Sequence, residues 1–364
     1  MIKRLLLVKH SILNSRILPR LACVCCAVLV SACATDTGWL DNEETVLETA
    51  GPAKLKQVVA MQDRLDRVGG KLLIDNAPLC RKQLRNLLGF SVANKYTYSP
   101  SLAALASETY GLDDRLQVMN VIPDSGAERA GLQRGDILLR IDNKPVPQGI
   151  HAERDTAEML SSLVSKKKSL NLTVLRNKVP RKMTISLTPA CGFRIELGQT
   201  GNVNAYSDGN RILVTQGMML FAKSDEDLAY ILSKEMAHNV LGHAKTLQNT
   251  HAATSLIDNL MLTPPRQAVS TGLKPMPKKF DIDADTLSLA MSLRGGYGID
   301  NATRFWKRLA YRFPATNAMN YTALHPATSA RLEAMPNAIT RIKAIDKRRK
   351  ALATPKLYLA TRHK

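Results

Sequence analysis

Apolar residues recur at three- and four-residue spacings from Leu55 through Val58, Val59, Leu65, Val68 and Leu72, predicting a helix over 54–74. The pattern then shifts to alternation. "LQVMNV", "SLNLTVLR" and "KMTISLTP" read as strands, and "PDSGAERAGL" as a turn entering one short helix. "RGDILLRIDNKPV" adds a turn, a strand and a hairpin, and an amphipathic helix is expected near Ala152–Leu163. Past Cys191 two further strands precede a helix opening at Ser224, with Asp227 three residues on as a capping box. Helix spacing resumes downstream in "KFDIDADTLSLAMSLRGGYGIDNATRFWKRLA".

The first residues follow a different pattern. Lys3, Arg4, Lys9, Arg16 and Arg20 precede an apolar run, Leu21–Ala32, with no acidic residue among them. A run of about 12 residues is too short to span a bilayer as a helix and reads as an export signal. It ends "LVSAC", which resembles the lipobox of bacterial lipoproteins. That resemblance implies a signal peptide over 1–32 and acylation of Cys33, with a polar tether over 33–53. The expected location is the periplasmic face of the outer membrane, because Ala34 rather than Asp follows the cysteine. An uncleaved anchor or an ordinary signal peptide is the alternative.

Export changes the meaning of composition. Net charge is +20, of which the leader carries five cations, leaving +15 on the mature chain. Lys166, Lys167, Lys168, Arg176, Lys178, Arg181 and Lys182 cluster in one region, and nine cations between Arg341 and Lys364 face only Asp346. Inside a cell such a balance suggests nucleic acid. In an exported chain that partner is excluded, and anionic lipid, envelope phosphates or plain solvated charge remain. Cys80 and Cys191, the mature cysteines besides Cys33, stand as a disulfide or as two buried thiols.

The order Pro-x-Ser-x-Ala-x-x-Ala-Gly-Leu-x-x-Gly-Asp, from Pro123 to Asp136, resembles a PDZ domain. The resemblance implies capture of an extended peptide as an added strand, with backbone amides on its terminal carboxylate. It assigns Tyr110, Gly111 and Leu112 to the carboxylate loop and Leu116–Val118 to the pairing strand. Use of the module for packing alone is the alternative.

The helix sequence "ILSKEMAHNVLGH" departs by one letter from the HExxH zinc-peptidase signature. Positions 234 and 238 lie one turn apart on one face, with Glu235 beside them. Together with "NVNAY", "FDIDAD", "GYGIDNATRFW" and "LHPATSARL", the segment 191–340 resembles the CAAX prenyl endopeptidases and their periplasmic lipoprotein relatives, which are gluzincins. The resemblance makes His238 the second zinc ligand and Glu235 the general base. It places Asp281 where the third ligand is ordinarily glutamate, and Asp285 as the carboxylate orienting a histidine. His325 matches a histidine able to cover the metal, and Arg331 follows in the same motif.

Lys234 stands where the first zinc histidine belongs. A protonated amine has no lone pair, and neutral lysine at pH 7 costs about 4.6 kcal/mol from an ordinary pKa. Asp281 is also a methylene short. A pairing of Lys234 with carboxylates, standing in for the metal, is one expectation; a lysine turned out of an unused cleft is the other. Two functions therefore compete. One is a pseudopeptidase that binds peptides or unfolded envelope proteins without a cofactor. The other is an active zinc endopeptidase in periplasmic protein quality control, living on His238, Asp281 and His325, with His243 a further candidate that lies five residues past His238 and so points off the ligand face. A purely structural envelope protein is a third class. The expected architecture is α+β: a helical segment 54–97, a barrel-like PDZ domain 98–190, a mainly helical zincin-type domain with a small sheet over 191–345, and a basic tail 346–364.

Overall fold

The computed structural model describes residues 51–98, 100–261, 276–313 and 329–353. The signal, Cys33, the tether up to residue 50, His325 and the tail beyond residue 353 lie outside the described residues, as does most of the loop over 263–279.

Helix α1 (Pro52–Asp75) starts with proline in its first turn, where no intrahelical partner is lost. It serves two cores. Leu55 and Val59 pack with Ala93, Ala106, Leu112 and Met119, while Leu65, Val68 and Leu72 enter the large C-terminal core. Two adjacent glycines mark where both bodies close on it. A Cβ at Gly69 would lie 2.6 Å from Ile195, and one at Gly70 would lie 2.4 Å from Ile122.

Beyond Asp75 the helical expectation for 54–97 fails. Strand β1 (Leu84–Leu87) pairs antiparallel with the later β8 (Thr188–Cys191), Leu84 opposite Cys191. Strand β2 (Phe90–Ala93) joins the next sheet. Gly89, at φ +84° between them, supplies the reversal, and its missing Cβ leaves room for Ser125. Of the two cysteine readings the structure has the bridge, with Cys80 bonded to Cys191 at a Cα separation of 5.3 Å. The cystine and the β1–β8 ribbon thus clamp both ends of the inserted module.

That module contains α2 (Pro100–Tyr110), β3 (Gln117–Val121), the single turn α3 (Gly126–Arg129), β4 (Ile137–Ile141), β5 (Lys144–Pro145), α4 (Ala152–Lys166), β6 (Ser169–Arg176) and β7 (Val179–Ser186). The sheet order is β2-β3-β4-β6-β7, with β5 on β4. Leu116, Val118, Leu138, Ile141, Leu170, Leu172 and Val174 form its core.

After β8, β9 (Arg194–Gly198), β10 (Ala205–Ser207) and β11 (Arg211–Thr215) form a sheet ordered β10-β11-β9, with β9 parallel to β11. Helices α5 (Gln216–Phe221), α6 (Asp225–Leu241), α7 (His243–Thr246), α8 (Thr250–Leu260), α9 (Lys278–Arg294), α10 (Ala302–Arg312) and α11 (Ser329–Ala353) follow. Helix α6 is buried on every side from Asp227 to Asn239. Every polar side chain it carries there must therefore find a partner inside the protein.

Candidate functional site

Ser224 caps α6, its Oγ accepting from the Asp227 backbone N–H at 3.1 Å. Nearly three turns on, Lys234 and Glu235 are fully buried, and His238 nearly so. Helix α9 packs against α6 and brings Asp281 and Asp285, one turn apart, to face Lys234. The Lys234 Nζ lies 3.0 Å from Asp281 Oδ1 and 3.0 Å from Asp285 Oδ1. It also lies 5.2 Å from the Trp306 ring centroid, within cation–π range.

Arg331 of α11 closes the group. Its Nε donates to Asp285 Oδ2 at 2.7 Å and its Nη2 to Asp285 Oδ1 at 2.8 Å, a bidentate pair. Burial raises the Asp285 pKa, but Lys234 and Arg331 outweigh it, and the carboxyl sits below its ordinary range. Two cations thus meet two carboxylates across three helices, all four side chains nearly or wholly withdrawn from water. Of the two expectations for Lys234, the structure has the carboxylate pairing.

Glu235 points the other way, toward the sheet, where its Oε2 accepts from the Ser207 hydroxyl at 2.8 Å. Ser207 ends β10, a terminal strand of the three-stranded sheet. Burial and the neighbouring Glu235 push the Tyr206 phenol pKa up. His238 Nε2 lies 3.6 Å from Asp281 Oδ1, and its Nδ1 lies 2.8 Å from His243 Nδ1. This places His243 differently from the expectation. Gly242 takes the left-handed conformation, φ +70°, ends α6 and turns the chain back, so His243 reaches His238 and stacks on Phe280 at 4.4 Å. Helical spacing does not apply across such a cap.

These side chains do not fit a catalytic zinc. Such an ion needs three lone-pair donors from the protein and one open position. Here an ammonium stands where the resemblance would put the first ligand, and Asp281, where it would put the third, is paired with that ammonium. Among the described residues no three His, Cys, Asp or Glu side chains converge as a ligand set. Of the residues singled out in the sequence, Lys234, His238, Asp281, Asp285 and Arg331 lie together through these contacts, while Glu235 turns to Ser207. Sequence reasoning missed Ser207, Trp306 and Phe280, whose contacts depend on how the helices and sheet pack.

The peptide-binding assignment needs correction. Leu112, Leu116 and Val118 are buried in the cores, Gly111 is an exposed left-handed turn residue, and Tyr110 ends α2. Strand β3 already has neighbours on both edges. Val118 is opposite Val92 of β2, while its N–H donates to Asp136 O on the other side, and Leu116 O accepts from Leu138. A strand paired on both sides has no backbone groups left to bind a peptide. The open edge belongs to β2, the terminal strand of its sheet.

Helix α4 lies beside that edge. Asn86 Nδ2 donates to Val164 O at 3.1 Å near one end of β2, and Thr97 Oγ1 bonds Glu153 Oε2 at 3.2 Å near the other. Strand and helix thus run side by side in opposite directions. Val92, Met159, Leu163 and Val164 are half-buried along them. The overlooked signal was "LLGFSVA", a short apolar run broken by a glycine before an edge strand.

Comparison with known proteins agrees with this division. Residues 117–176 match the model of the PDZ domain, and residues 168–339 match that of peptidase family M48. The chain thus pairs a segment similar to PDZ domains with a downstream segment similar to a metallopeptidase family. The match to peptidase family M48 covers most of the C-terminal domain, and the match to the PDZ domain begins upstream of it. The protein HhoA of Synechocystis sp. (strain ATCC 27184 / PCC 6803 / Kazusa) is 32% identical over 72 residues, 20% of this chain and 17% of its own length. The chain thus spans under a fifth of that relative. A solved HtrA3 PDZ domain bound to a phage-derived ligand is 21% identical, covering 29% of this chain and 88% of its own, with a TM-score of 0.22. The HtrA-type protease AlgW with tripeptide is 27% identical, covering 29% and 32%, with a TM-score of 0.21.

Proposed function

We propose that this chain is an envelope lipoprotein that captures peptides or unfolded protein segments through its PDZ module, and that its peptidase-family domain does not cut them. The observation that carries peptide capture is the open edge of β2 beside α4. An incoming extended segment pairs with Phe90–Ala93 and presents alternate side chains to Val92, Met159 and Leu163. The left-handed turn at Gly89 stands immediately before β2, where backbone amides would meet a terminal carboxylate.

Loss of cutting rests on Lys234. Its ammonium sits between Asp281 and Asp285, so the water-activating ion of the family has neither ligand nor space at that position. Acylation of Cys33 and retention at the outer membrane complete the proposal; their support is the "LVSAC" leader.

The test is titration of the exported protein with a library of C-terminal peptides, read by fluorescence anisotropy, alongside elemental analysis. Expected are micromolar binding, a tenfold or greater loss on Leu163→Glu, and no stoichiometric zinc. Stoichiometric zinc with chelator-sensitive cleavage of an unfolded substrate establishes the endopeptidase reading instead. Absence of binding to any peptide leaves a structural envelope protein.

A further inference from the structure

The hairpin β6–β7 carries a feature that peptide capture does not use. Its two-residue turn, Asn177–Lys178, has φ +51° and +63°. Such a turn favours glycine in its second place, yet this chain puts a lysine there. The six residues from Asn177 to Lys182 are all exposed. They include Lys178, Arg181 and Lys182, with Val179 at 54% exposure and Pro180 between them.

No acidic residue occurs in the chain between Glu158 and Glu196. The carboxylate beside the tip, Asp136, is fully committed to Arg176, at 2.6 Å. Among the described residues, Lys178, Arg181 and Lys182 therefore have no acidic partner. On the face that Lys182 occupies, positive charge continues inward across the sheet. Lys182 is opposite Thr173, which is opposite Arg140 of β4.

We infer that this hairpin tip docks on an anionic lipid surface, the three cations meeting headgroup phosphates while Val179 and Pro180 enter the interface. The charge alone suits any polyanion. The exposed aliphatic pair selects lipid, because a nucleic acid or a soluble phosphate offers nothing for Val179 to bury against, whereas a bilayer offers its acyl boundary. Edge protection explains cations on a terminal strand. It explains neither an exposed valine between them nor a lysine held in a glycine conformation at the turn.

Basic residues near an anionic bilayer contribute about 1 kcal/mol each, or about fivefold in partitioning, so three give roughly a hundredfold. The test is vesicle flotation of the exported protein at low and high salt, with phosphatidylglycerol-containing and pure phosphatidylcholine vesicles. K178Q/R181Q/K182Q and V179S variants of the same exported protein are compared, so that any acyl anchor contributes equally to all. The inference expects stronger binding to the anionic vesicles, lost at 0.5 M salt and reduced roughly a hundredfold by the triple substitution. It also expects a several-fold loss in V179S. Lys178→Gly, which suits the turn, keeps the fold and still lowers binding about fivefold. Equal partitioning of parent and triple variant overturns the inference. So does a parent that prefers a soluble polyanion such as heparin and is indifferent to vesicle composition, or a V179S variant that binds like the parent.

Discussion

The Lys234 ammonium and the Asp281 carboxylate, 3.0 Å apart and both wholly buried, join helices α6 and α9 where the resemblance to HExxH peptidases would put a metal ligand. Positive charge is still present there, but it is covalently part of the chain. A buried ion pair of this kind is a poor source of net stability relative to a well-packed apolar core. Removing one partner is another matter, because the remaining charges stay buried without compensation.

Lys234→Met is accordingly expected to lower stability by about 3–5 kcal/mol, on the order of 10 °C in Tm. Thermal unfolding checks this. Lys234→Met/Asp281→Leu, which leaves Asp285 paired with Arg331, is expected to recover much of the loss. Chelator is expected to leave the parent Tm unchanged. A double variant as unstable as Lys234→Met alone would show that the pair does not act as a unit.

Restoring the family's donors reverses the argument. Lys234→His with Asp281→Glu adds one imidazole to that of His238 and lengthens the carboxylate, and is expected to bind zinc and to gain Tm with added zinc, where the parent does not. Elemental analysis after dialysis measures it. A double variant that folds and stays metal-free would mean that Arg331 and Asp285 hold the helices in a spacing no ion can bridge.

Much of this centre was legible before the structure, and the reason is local. Lys234, Glu235 and His238 share a single helix, and Asp281 and Asp285 share another, so 3.6-residue periodicity fixes which side chains travel together. Ser207 and Trp306 reach the centre from a strand and from α10, and no spacing along the chain relates them to α6. His243 was misread because Gly242 breaks the helix between it and His238. The PDZ module shows the complementary limit. Its turn motif was readable, but which strand lies at the edge is a matter of pairing order, and β2 precedes the motif by some 30 residues. The basic hairpin was visible as charge, while the exposure of Val179 was not.

Acid sensitivity is predicted at the junction of α1 and α6. Asp225 in the first turn of α6 takes Arg67 and Arg64 of α1. Its pKa is lowered, chiefly by the Arg67 hydrogen bond, with burial opposing and Arg64 assisting. A folded-state pKa below the unfolded one gives stability that is present above the unfolded value, about 3.9, and is lost as pH falls through the folded value. The stability difference between parent and Asp225→Asn is expected to be flat from neutral pH to about 5 and to shrink below about 4. Because the site is part-exposed, its size is under about 1 kcal/mol. Urea midpoints across pH 3–7 measure it, and a difference that grows toward acid would reverse the assignment.

The cystine yields the last prediction. Cys80 and Cys191 stand 111 positions apart and enclose the entire PDZ module, and Leu84 pairs with Cys191 immediately beside the bridge. A cross-link over a loop of that length is worth about 4–5 kcal/mol in the chain-entropy account, by restricting the unfolded chain. Cys80→Ser/Cys191→Ser is therefore expected to lower Tm on the order of 10 °C, an effect that reducing agent reproduces in the parent but does not increase in the variant. Peptide affinity at a temperature where both are folded is expected to stay within about twofold, because the β2 edge and α4 are held by the module's own core. A large loss of affinity with little loss of Tm would mean that the clamp, rather than that core, sets the geometry of the groove.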